Sequence, residues 1–164
     1  MLVVLRHLCA ILVLPVVMAG VVPRWLLTTY AHIDSRWSAG SVVALAMRGL
    51  GALLLLAGFA LFCWCVALFA RVGQGTLAPW DPTRRLVAIG PYRYVRNPMI
   101  TGVATVLAGL ALFIGSWVLA VWLGAFVSFN FAYFVLVEEP GLERRFGAPY
   151  REYKAHVPRW IPRR

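Results

Sequence analysis

Two polar segments of this sequence carry the side chains that could do chemistry. Glu138 and Glu139 are adjacent carboxylates, and about 40 residues upstream the segment 92–98 reads Tyr-Arg-Tyr-Val-Arg-Asn-Pro. Carboxylates accept hydrogen bonds from ammonium and hydroxyl groups, whereas guanidiniums bind carboxylates and phosphates. The two segments would form one composite polar site if the fold brings them together.

An uncharged stretch separates the two segments. Residues 99–137 contain no Asp, Glu, Lys or Arg. At ~1.5 Å per helical residue, about 39 residues can cross a ~30 Å hydrocarbon layer and return. The sequence therefore predicts a helix hairpin whose two polar ends lie at the same membrane face.

The composition is that of a membrane protein. Hydrophobic residues make up 62% of the 164-residue chain, compared with about 45–50% in soluble domains. The apolar runs lack period-2 alternation, which favours helices over strands. We expect an all-α, polytopic membrane helix bundle that forms a single domain over residues 1–164.

Four transmembrane helices are predicted. The expected spans are residues 8–22, 41–70, 99–114 and 117–137, with a turn at Gly115 and Ser116. A cleaved signal peptide is an alternative for the first span, because a basic start precedes a short apolar core. A polar connection is expected over 23–41, and one amphipathic helix over 140–156, where apolar and aromatic residues recur at three- and four-residue steps.

The net charge of +10 indicates orientation rather than nucleic-acid binding. Thirteen Lys and Arg residues lie before the first span, in loop 71–98 and in the tail, against three in the region 24–48. Basic residues beside spans stay on the cytoplasmic side. We expect an integral membrane protein with both termini in the cytoplasm and no nucleic-acid partner.

Cysteine and histidine usage gives no metal site. Cys9, Cys63 and Cys65 fall in apolar stretches, and their odd number favours reduced packing residues over a disulfide framework. The three histidines are scattered along the chain. Motifs of soluble nucleotide-binding folds are also absent from the sequence, so any cofactor would be held by membrane helices and their cytosolic ends.

Each polar segment also has a purely structural interpretation. Glu139 favours the positive amino end of a following helix. Arg93 and Arg96 could anchor the chain to lipid phosphates, as basic residues beside spans do. Asn97 and Pro98 suit the cap and the first turn of a helix.

Two strings in the sequence resemble a known family. GPYRYVRNPMITG at 90–102 and EEPGLERRFGAPYREYKAHVPRWIP at 138–162 are similar to the isoprenylcysteine carboxyl methyltransferase and phospholipid methyltransferase family. Residues 75–82 also look like bacterial members. The resemblance covers about residues 71–162 and implies an integral-membrane methyltransferase that uses S-adenosyl-L-methionine, with a bacterial inner membrane as its expected location.

The resemblance also implies which residues form the site. The cofactor-site segments are 71–98 and 138–162. Carried over by motif position, the cofactor-binding residues are Arg96, Asn97, Pro98, Glu138, Glu139, Tyr150 and Tyr153. Arg93 and Asn130 are the candidate substrate-binding residues, and no catalytic residue or metal is assigned.

The acceptor stays open at this point. The leading hypothesis is a lipophilic or isoprenoid-type acceptor, and the alternative is the amine of a phospholipid. Asn97 stands where the family often has histidine, and Ile100 where it usually has tyrosine. A non-catalytic membrane protein that keeps the scaffold is therefore an alternative of another class. Glycines in the second and third spans could serve internal packing or a dimer, which leaves the oligomeric state open.

Overall fold

The computed structural model describes residues 15–38, 40–73 and 86–160, and every regular element in these ranges is helical. The predicted all-α class is confirmed. The α-helices are α1 (Val22–Thr29), α2 (Val42–Leu68), α3 (Pro98–Ile114), α4 (Trp117–Tyr133), α5 (Glu139–Phe146) and α6 (Ala148–His156). Wider π turns occupy Val17–Val21, Phe69–Gly73 and Phe134–Glu138, and a 3-10 turn covers Gly90–Arg93.

Two of the continuous helices are long and apolar enough to cross a membrane. They run over Val42–Val72 and Trp117–Phe146, with 31 and 30 residues. The helix between them, α3, is equally apolar in character but has 17 residues. Much of the first predicted span, residues 8–14, lies outside the described residues, so the count of four spans stays a prediction.

The first described helix extends further than the sequence predicted. The predicted polar connection began at residue 23, but α1 continues to Thr29. Pro23 does not stop the helix, because it directly follows a π turn in which the hydrogen-bond pattern changes. Its fixed φ also suits a helix.

Helices α2 and α3 pack in antiparallel contact along a seam of glycines. A Cβ atom on Gly58 would lie 2.7 Å from the carbonyl oxygen of Gly102, and one on Gly109 would lie 2.7 Å from the backbone nitrogen of Leu55. Only residues without side chains allow backbones to approach this closely. These glycines therefore serve packing within the chain.

A tight turn joins α3 to α4, as the sequence predicted. Gly115 has φ +80°, a left-handed conformation that ends α3. The hydroxyl of Ser116 then accepts a hydrogen bond of 3.2 Å from the backbone N–H of Leu119 and caps α4. The turn fixes the antiparallel pairing that returns the chain to its starting end.

The connection between α1 and α2 packs against this turn and forms hydrogen bonds with residues on both sides of it. The indole N–H of Trp37 donates to the carbonyl of Leu112 at 2.6 Å. A carboxylate oxygen of Asp34 accepts from the backbone N–H of Val118 at 3.3 Å, and the indole of Trp117 donates to the carbonyl of Ile33 at 3.0 Å. We call Asp34, Trp37 and Trp117 the far clasp, since they hold the bundle end that lies away from the two polar segments.

The predicted single tail helix over 140–156 is not confirmed, because the structure divides this range between two helices. The hairpin helix α4 continues through the π turn Phe134–Glu138 into α5, with no break before Phe146. Gly147, at φ +59°, then separates α5 from α6. Pro140 follows directly after the π turn, where the hydrogen-bond pattern of the continuous helix changes and a residue without an N–H is accommodated.

Candidate functional site

The fold brings the two polar segments together at the end of the bundle opposite the far clasp. The guanidinium of Arg96 donates to the carboxylate of Glu139 at 2.7 Å. The backbones also pair, because the N–H of Arg96 donates to the carbonyl of Pro158 at 2.9 Å and that of Asn97 donates to the carbonyl of Arg159 at 3.3 Å. The chain after α6 therefore returns to the segment that precedes α3.

Glu139 is the centre of this arrangement. Its carboxylate is only 3% exposed and contacts three cations. Arg159 reaches both of its oxygens, at 2.6 and 3.2 Å, while Lys154 lies 3.2 Å from one oxygen. We call Glu139 with Arg96, Lys154 and Arg159 the hub. A buried carboxylate needs such partners because burial without them is strongly unfavourable.

The π turn before α5 determines which of the two glutamates points inward. Phe126 and Phe134 mark the buried face of α4, and the next buried residue is Glu139, five positions beyond Phe134. A regular α-helix would bring Glu138 to that face, four positions on. The extra residue of the π turn turns Glu139 inward instead. Glu138 is exposed and forms no hydrogen bond or ion pair with the described residues.

Asn97 and Pro98 lie at the start of α3. Asn97 occupies the capping position but its side chain makes no capping hydrogen bond, whereas its carbonyl accepts from the hydroxyl of Thr101 at 2.9 Å. The side chain is buried, and its amide nitrogen has no hydrogen-bond partner among the described residues. Asn97 therefore occupies the predicted cap position of the helix, but the N–H donors of its side-chain amide stay without a partner among the described residues.

Tyr150 and Tyr153 project from α6 beside the hub. Their rings lie 6.1 Å apart, and Tyr150 is almost fully buried. The phenol of Tyr153 donates to the carbonyl of Tyr92 at 2.7 Å. The phenol oxygen of Tyr150 lies close to the guanidinium of Arg96, but it makes no well-aligned hydrogen bond with it or with any other described residue.

Both phenols are neutral at ordinary pH. Burial raises the pKa of Tyr153, and the neighbouring Arg96 guanidinium opposes the shift without reversing it. Burial also raises the pKa of Tyr150, Arg96 opposes that shift, and the charges of Glu139 and Glu138 add to it. Glu138 is thus within electrostatic reach of Tyr150. These phenols can donate hydrogen bonds, but they are too weakly acidic to serve as bases.

Three buried polar atoms at this end have no hydrogen-bond partner within the described parts of the chain. They are Nε of Arg96, Nδ2 of Asn97 and the phenol oxygen of Tyr150. An unsatisfied buried polar group costs about 1–3 kcal/mol, and native folds contain few of them. Three such atoms beside one hub indicate hydrogen-bonding capacity that the fold itself does not use.

The other two predicted site residues lie apart from the hub. Arg93 is exposed in the 3-10 turn. The amide of Asn130 donates to the carbonyl of Phe126 at 2.8 Å, one turn back in its own helix. Neither side chain forms a hydrogen bond or ion pair with a hub residue. Their assignment to substrate binding stays a prediction.

Two hub residues were missed from the sequence. Lys154 falls within the predicted amphipathic helix over 140–156 and Arg159 within the predicted segment 138–162, but neither was among the candidate site residues. The available signal for Arg159 was its position directly after Val157 and Pro158, where the chain must turn. No sequence pattern showed that this turn leads back to Arg96.

The arrangement suits binding of a charged small molecule more than metal chemistry. The described residues contain no group of three or more His, Cys, Asp or Glu side chains that could hold a metal ion. The described cysteines, Cys63 and Cys65, are free thiols. What the hub end offers is a partly buried group of charged residues with unused donors and one free carboxylate.

Comparison with known proteins gives one match. The family model described as phospholipid methyltransferase matches residues 46–149, which include most of α2 and all of α3, α4 and α5. No curated protein and no solved structure matches the chain. The match covers more than half of the chain and contains the hairpin together with Arg96 and Glu139. This chain belongs to the phospholipid methyltransferase family.

Proposed function

We propose that the protein is a methyltransferase that uses S-adenosyl-L-methionine and methylates a lipophilic acceptor at the membrane. The observation that carries the proposal is the set of unused polar groups around the hub. Arg96, Asn97 and Tyr150 hold unpartnered buried atoms, and Glu138 has an exposed carboxylate within electrostatic reach of Tyr150.

The residues fit the proposed cofactor by charge and hydrogen-bonding type. S-adenosyl-L-methionine carries a carboxylate, an ammonium, a sulfonium, ribose hydroxyls and adenine. The guanidinium of Arg96 suits the carboxylate, and the free carboxylate of Glu138 suits the ammonium. The amide of Asn97 and the phenol of Tyr150 add neutral donors, and aromatic faces can pack against adenine or the sulfonium.

The two adjacent glutamates take different parts in this proposal. Both oxygens of Glu139 already contact cations of the hub. We therefore assign Glu139 to positioning, because its contacts hold Arg96 in place and secure the chain end at Arg159. Glu138, Asn97 and Tyr150 are assigned to the cofactor itself, with Pro98 and Tyr153 shaping the site around them.

The proposed methyl transfer requires little from the protein beyond positioning of the cofactor and the acceptor. The cofactor supplies a methyl group already activated by its sulfonium. The chain's residues bind and orient it, and they exclude water from the reacting groups. Asn97 does not titrate, and the neutral phenols of Tyr150 and Tyr153 donate hydrogen bonds without taking up protons. An acceptor that is already an anion needs no base from the protein.

The acceptor reaches the site from the membrane in this proposal, and the hub lies at the cytosolic face. An isoprenoid-type acceptor suits the apolar surfaces of α2 and α4, which expose large side chains such as Phe59, Trp64 and Phe129. A phospholipid amine is the second candidate, in keeping with the family's name. A neutral amine must lose a proton, and no residue is assigned to receive it, because the carboxylate of Glu138 is already assigned to the cofactor.

A matched pair of tyrosine variants tests the cofactor site. Tyr150→Phe removes a hydroxyl without a partner, so the variant should keep or slightly gain thermal stability. Its affinity for S-adenosyl-L-methionine should nevertheless fall about tenfold, as for the loss of one hydrogen bond to a charged group. Tyr153→Phe removes a hydroxyl bonded to Tyr92 and should lower stability by about 1 kcal/mol.

Calorimetry and thermal unfolding of both variants in detergent test whether Tyr150 binds the cofactor and Tyr153 supports the fold. Unchanged cofactor affinity in Tyr150→Phe would remove that residue from the site. Absence of cofactor binding in the wild-type protein would favour the non-catalytic alternative. Transfer of a labelled methyl group into a membrane-lipid extract, followed by identification of the product, separates an isoprenoid-type acceptor from a phospholipid amine.

A further inference from the structure

Arg159 lies where the hub meets the apolar surface of the bundle. Its guanidinium donates to both oxygens of Glu139. The same guanidinium stands over the ring of Phe131, with Cζ 5.8 Å from the ring centroid. Despite these contacts, the side chain keeps 32% of its surface exposed. Arg159 therefore connects a buried carboxylate on one side with an aromatic ring of α4 on the other.

Phe131 belongs to the outer surface of a helix that can cross a membrane. Its ring is 46% exposed, and it lies within the apolar helix Trp117–Phe146. In a bilayer such a ring contacts acyl chains near the end of the span. An amphiphile that packs along this part of α4 would therefore bring its headgroup to Arg159.

Within the ion-pair network around Arg159, the cations outnumber the carboxylates by one. The ion-pair network contains Arg96, Lys154 and Arg159 against Glu139 and Glu143. Lys154 and Arg159 are also the two most exposed of these cations. Arginine has five N–H donors in a planar fork, and Nη1 of Arg159 has no hydrogen-bond acceptor among the described residues. An anion can approach this edge of the hub without displacing Glu139.

The geometry points to a binding site for the phosphate of a membrane lipid, formed by Arg159 and Lys154 with Phe131 under the adjoining acyl chain. The exposed cations Arg159 and Lys154 favour binding of an anion. The exposed ring of Phe131 beside them favours an anion that carries an apolar tail. Guanidinium is well suited to phosphate because its donors match two phosphate oxygens. The site does not depend on methyl transfer, and Arg159 lies beyond the residues that the family model matches.

Lipid retention by the full-length protein tests this inference. The purified protein is exchanged into detergent with phosphatidylglycerol or with a galactosyl diacylglycerol of the same acyl chains, and bound lipid is counted by native mass spectrometry. The wild-type protein should retain the phosphate lipid in preference to the sugar lipid. Arg159→Gln, which can still donate to Glu139, should lower that retention about tenfold, as for loss of a charge-assisted contact.

Two further variants make the result specific. Arg151→Gln removes the same charge from an exposed residue of α6 and should change retention less than about twofold, as expected of a solvated surface charge. Phe131→Leu leaves the ion pairs intact and should weaken retention of the phosphate lipid a few-fold, about the worth of one cation–π contact. This second variant keeps the test valid if Arg159→Gln does not fold.

Three outcomes would overturn the inference. Equal loss in Arg151→Gln and Arg159→Gln would show a diffuse charge effect. Displacement of the lipid by low concentrations of inorganic phosphate would show a site for soluble anions. Unchanged lipid retention in Arg159→Gln, with weakened binding of S-adenosyl-L-methionine, would assign Arg159 to the cofactor's carboxylate. A wild-type protein that binds lipid but no cofactor would refute the proposed function and leave this site standing.

Discussion

The two ends of the bundle are both held by polar contacts, but they use them differently. At the far clasp, the indoles of Trp37 and Trp117 donate to backbone carbonyls and Asp34 accepts from a helix N–H. The one unpartnered atom there is the second oxygen of Asp34, which has the guanidinium of Arg36 at 3.9 Å. At the hub, three donors of different chemical types stay unpartnered.

This difference supports the proposal that one end is structural and the other binds the cofactor. The donors and acceptors of the far clasp satisfy the open ends of α3 and α4, which need partners in any fold. The hub satisfies Glu139 with three cations and still leaves buried donors on Arg96, Asn97 and Tyr150. Unused buried donors reduce stability, and among the described residues they occur at this end, which supports the proposed ligand site.

The largest expected effect comes from breaking the hub at its centre. Glu139→Gln removes the charge that pairs with Arg96, whose side chain is 7% exposed. Loss of one partner from a buried ion pair costs about 3–5 kcal/mol. Thermal unfolding in detergent should show a large drop in the midpoint, together with loss of cofactor binding.

Glu143→Gln is the matched control for this variant. Glu143 contacts Lys154 at 3.6 Å, but its side chain is 36% exposed. Removal of a partly solvated charge should therefore cost at most about 1 kcal/mol. If both variants unfold at the same temperature, Glu139 contributes no more to stability than the partly exposed Glu143. The proposed difference between the two ends of the bundle would then be contradicted.

A smaller but clear effect is expected in the glycine seam next to the far clasp. A Cβ atom on Gly51 would lie 2.6 Å from the backbone nitrogen of Phe113. Gly51→Ala should therefore cost about 1–3 kcal/mol through overpacking. Gly49, two residues earlier, has nothing within 4 Å of such an atom, so Gly49→Ala should be neutral or slightly stabilising because alanine favours helices.

Unfolding midpoints and cofactor affinities of the Gly51 and Gly49 variants should be measured together, because they separate effects on the fold from effects on the cofactor site. The seam supports the fold, so a Gly51→Ala protein that stays folded at low temperature should bind cofactor normally. Equal stability of the two alanine variants would contradict the close approach of α2 and α3.

The far clasp should show a modest effect on stability alone. Trp37→Phe removes the donor to the carbonyl of Leu112 while keeping an aromatic ring against Gly115. One lost hydrogen bond should cost about 1 kcal/mol, and the affinity for cofactor should not change. A large loss of cofactor binding in this variant would show that the two ends are coupled. It would contradict the proposal that the far clasp serves stability alone.

The smallest effect is expected from removal of one residue in the π turn Phe134–Glu138. Deletion of Leu136, which is 72% exposed, should convert the turn to a regular α-turn and leave the inward carboxylate in place. Deletion of Ala125 within regular α4 should instead rotate the following residues by about 100° and destroy the hub. Wild-type-like cofactor binding in the Ala125 deletion would contradict this account of the helix phase.

Local features of the fold could be predicted from the sequence. The turn at Gly115 and Ser116 and the bounds of α3 follow from local signals, namely a left-handed glycine, a serine cap and a proline in the first turn. The meeting of the two polar segments also followed from the uncharged stretch between them, because the arithmetic of an out-and-back hairpin is simple.

The rest depended on geometry that has no local signal. The inward turn of Glu139 rather than Glu138 results from a π turn, and apolar residues such as Val135 and Leu136 do not mark one in a sequence. The return of Arg159 to Arg96 is a contact between distant residues that depends on how α6 packs. The break at Gly147 was visible as a glycine, but a glycine within a helical pattern does not by itself show that a helix ends.

The central claim is that residues from both polar segments hold one methyl donor. It is tested most directly by titrating S-adenosyl-L-methionine into Asn97→Leu and Tyr150→Phe, one variant from each segment, with unfolding midpoints recorded in parallel. We predict that each variant keeps or slightly raises the wild-type midpoint while its affinity falls about tenfold. Wild-type affinity in both variants would mean that these hydrogen-bond donors do not contact the methyl donor, which then binds elsewhere or not at all.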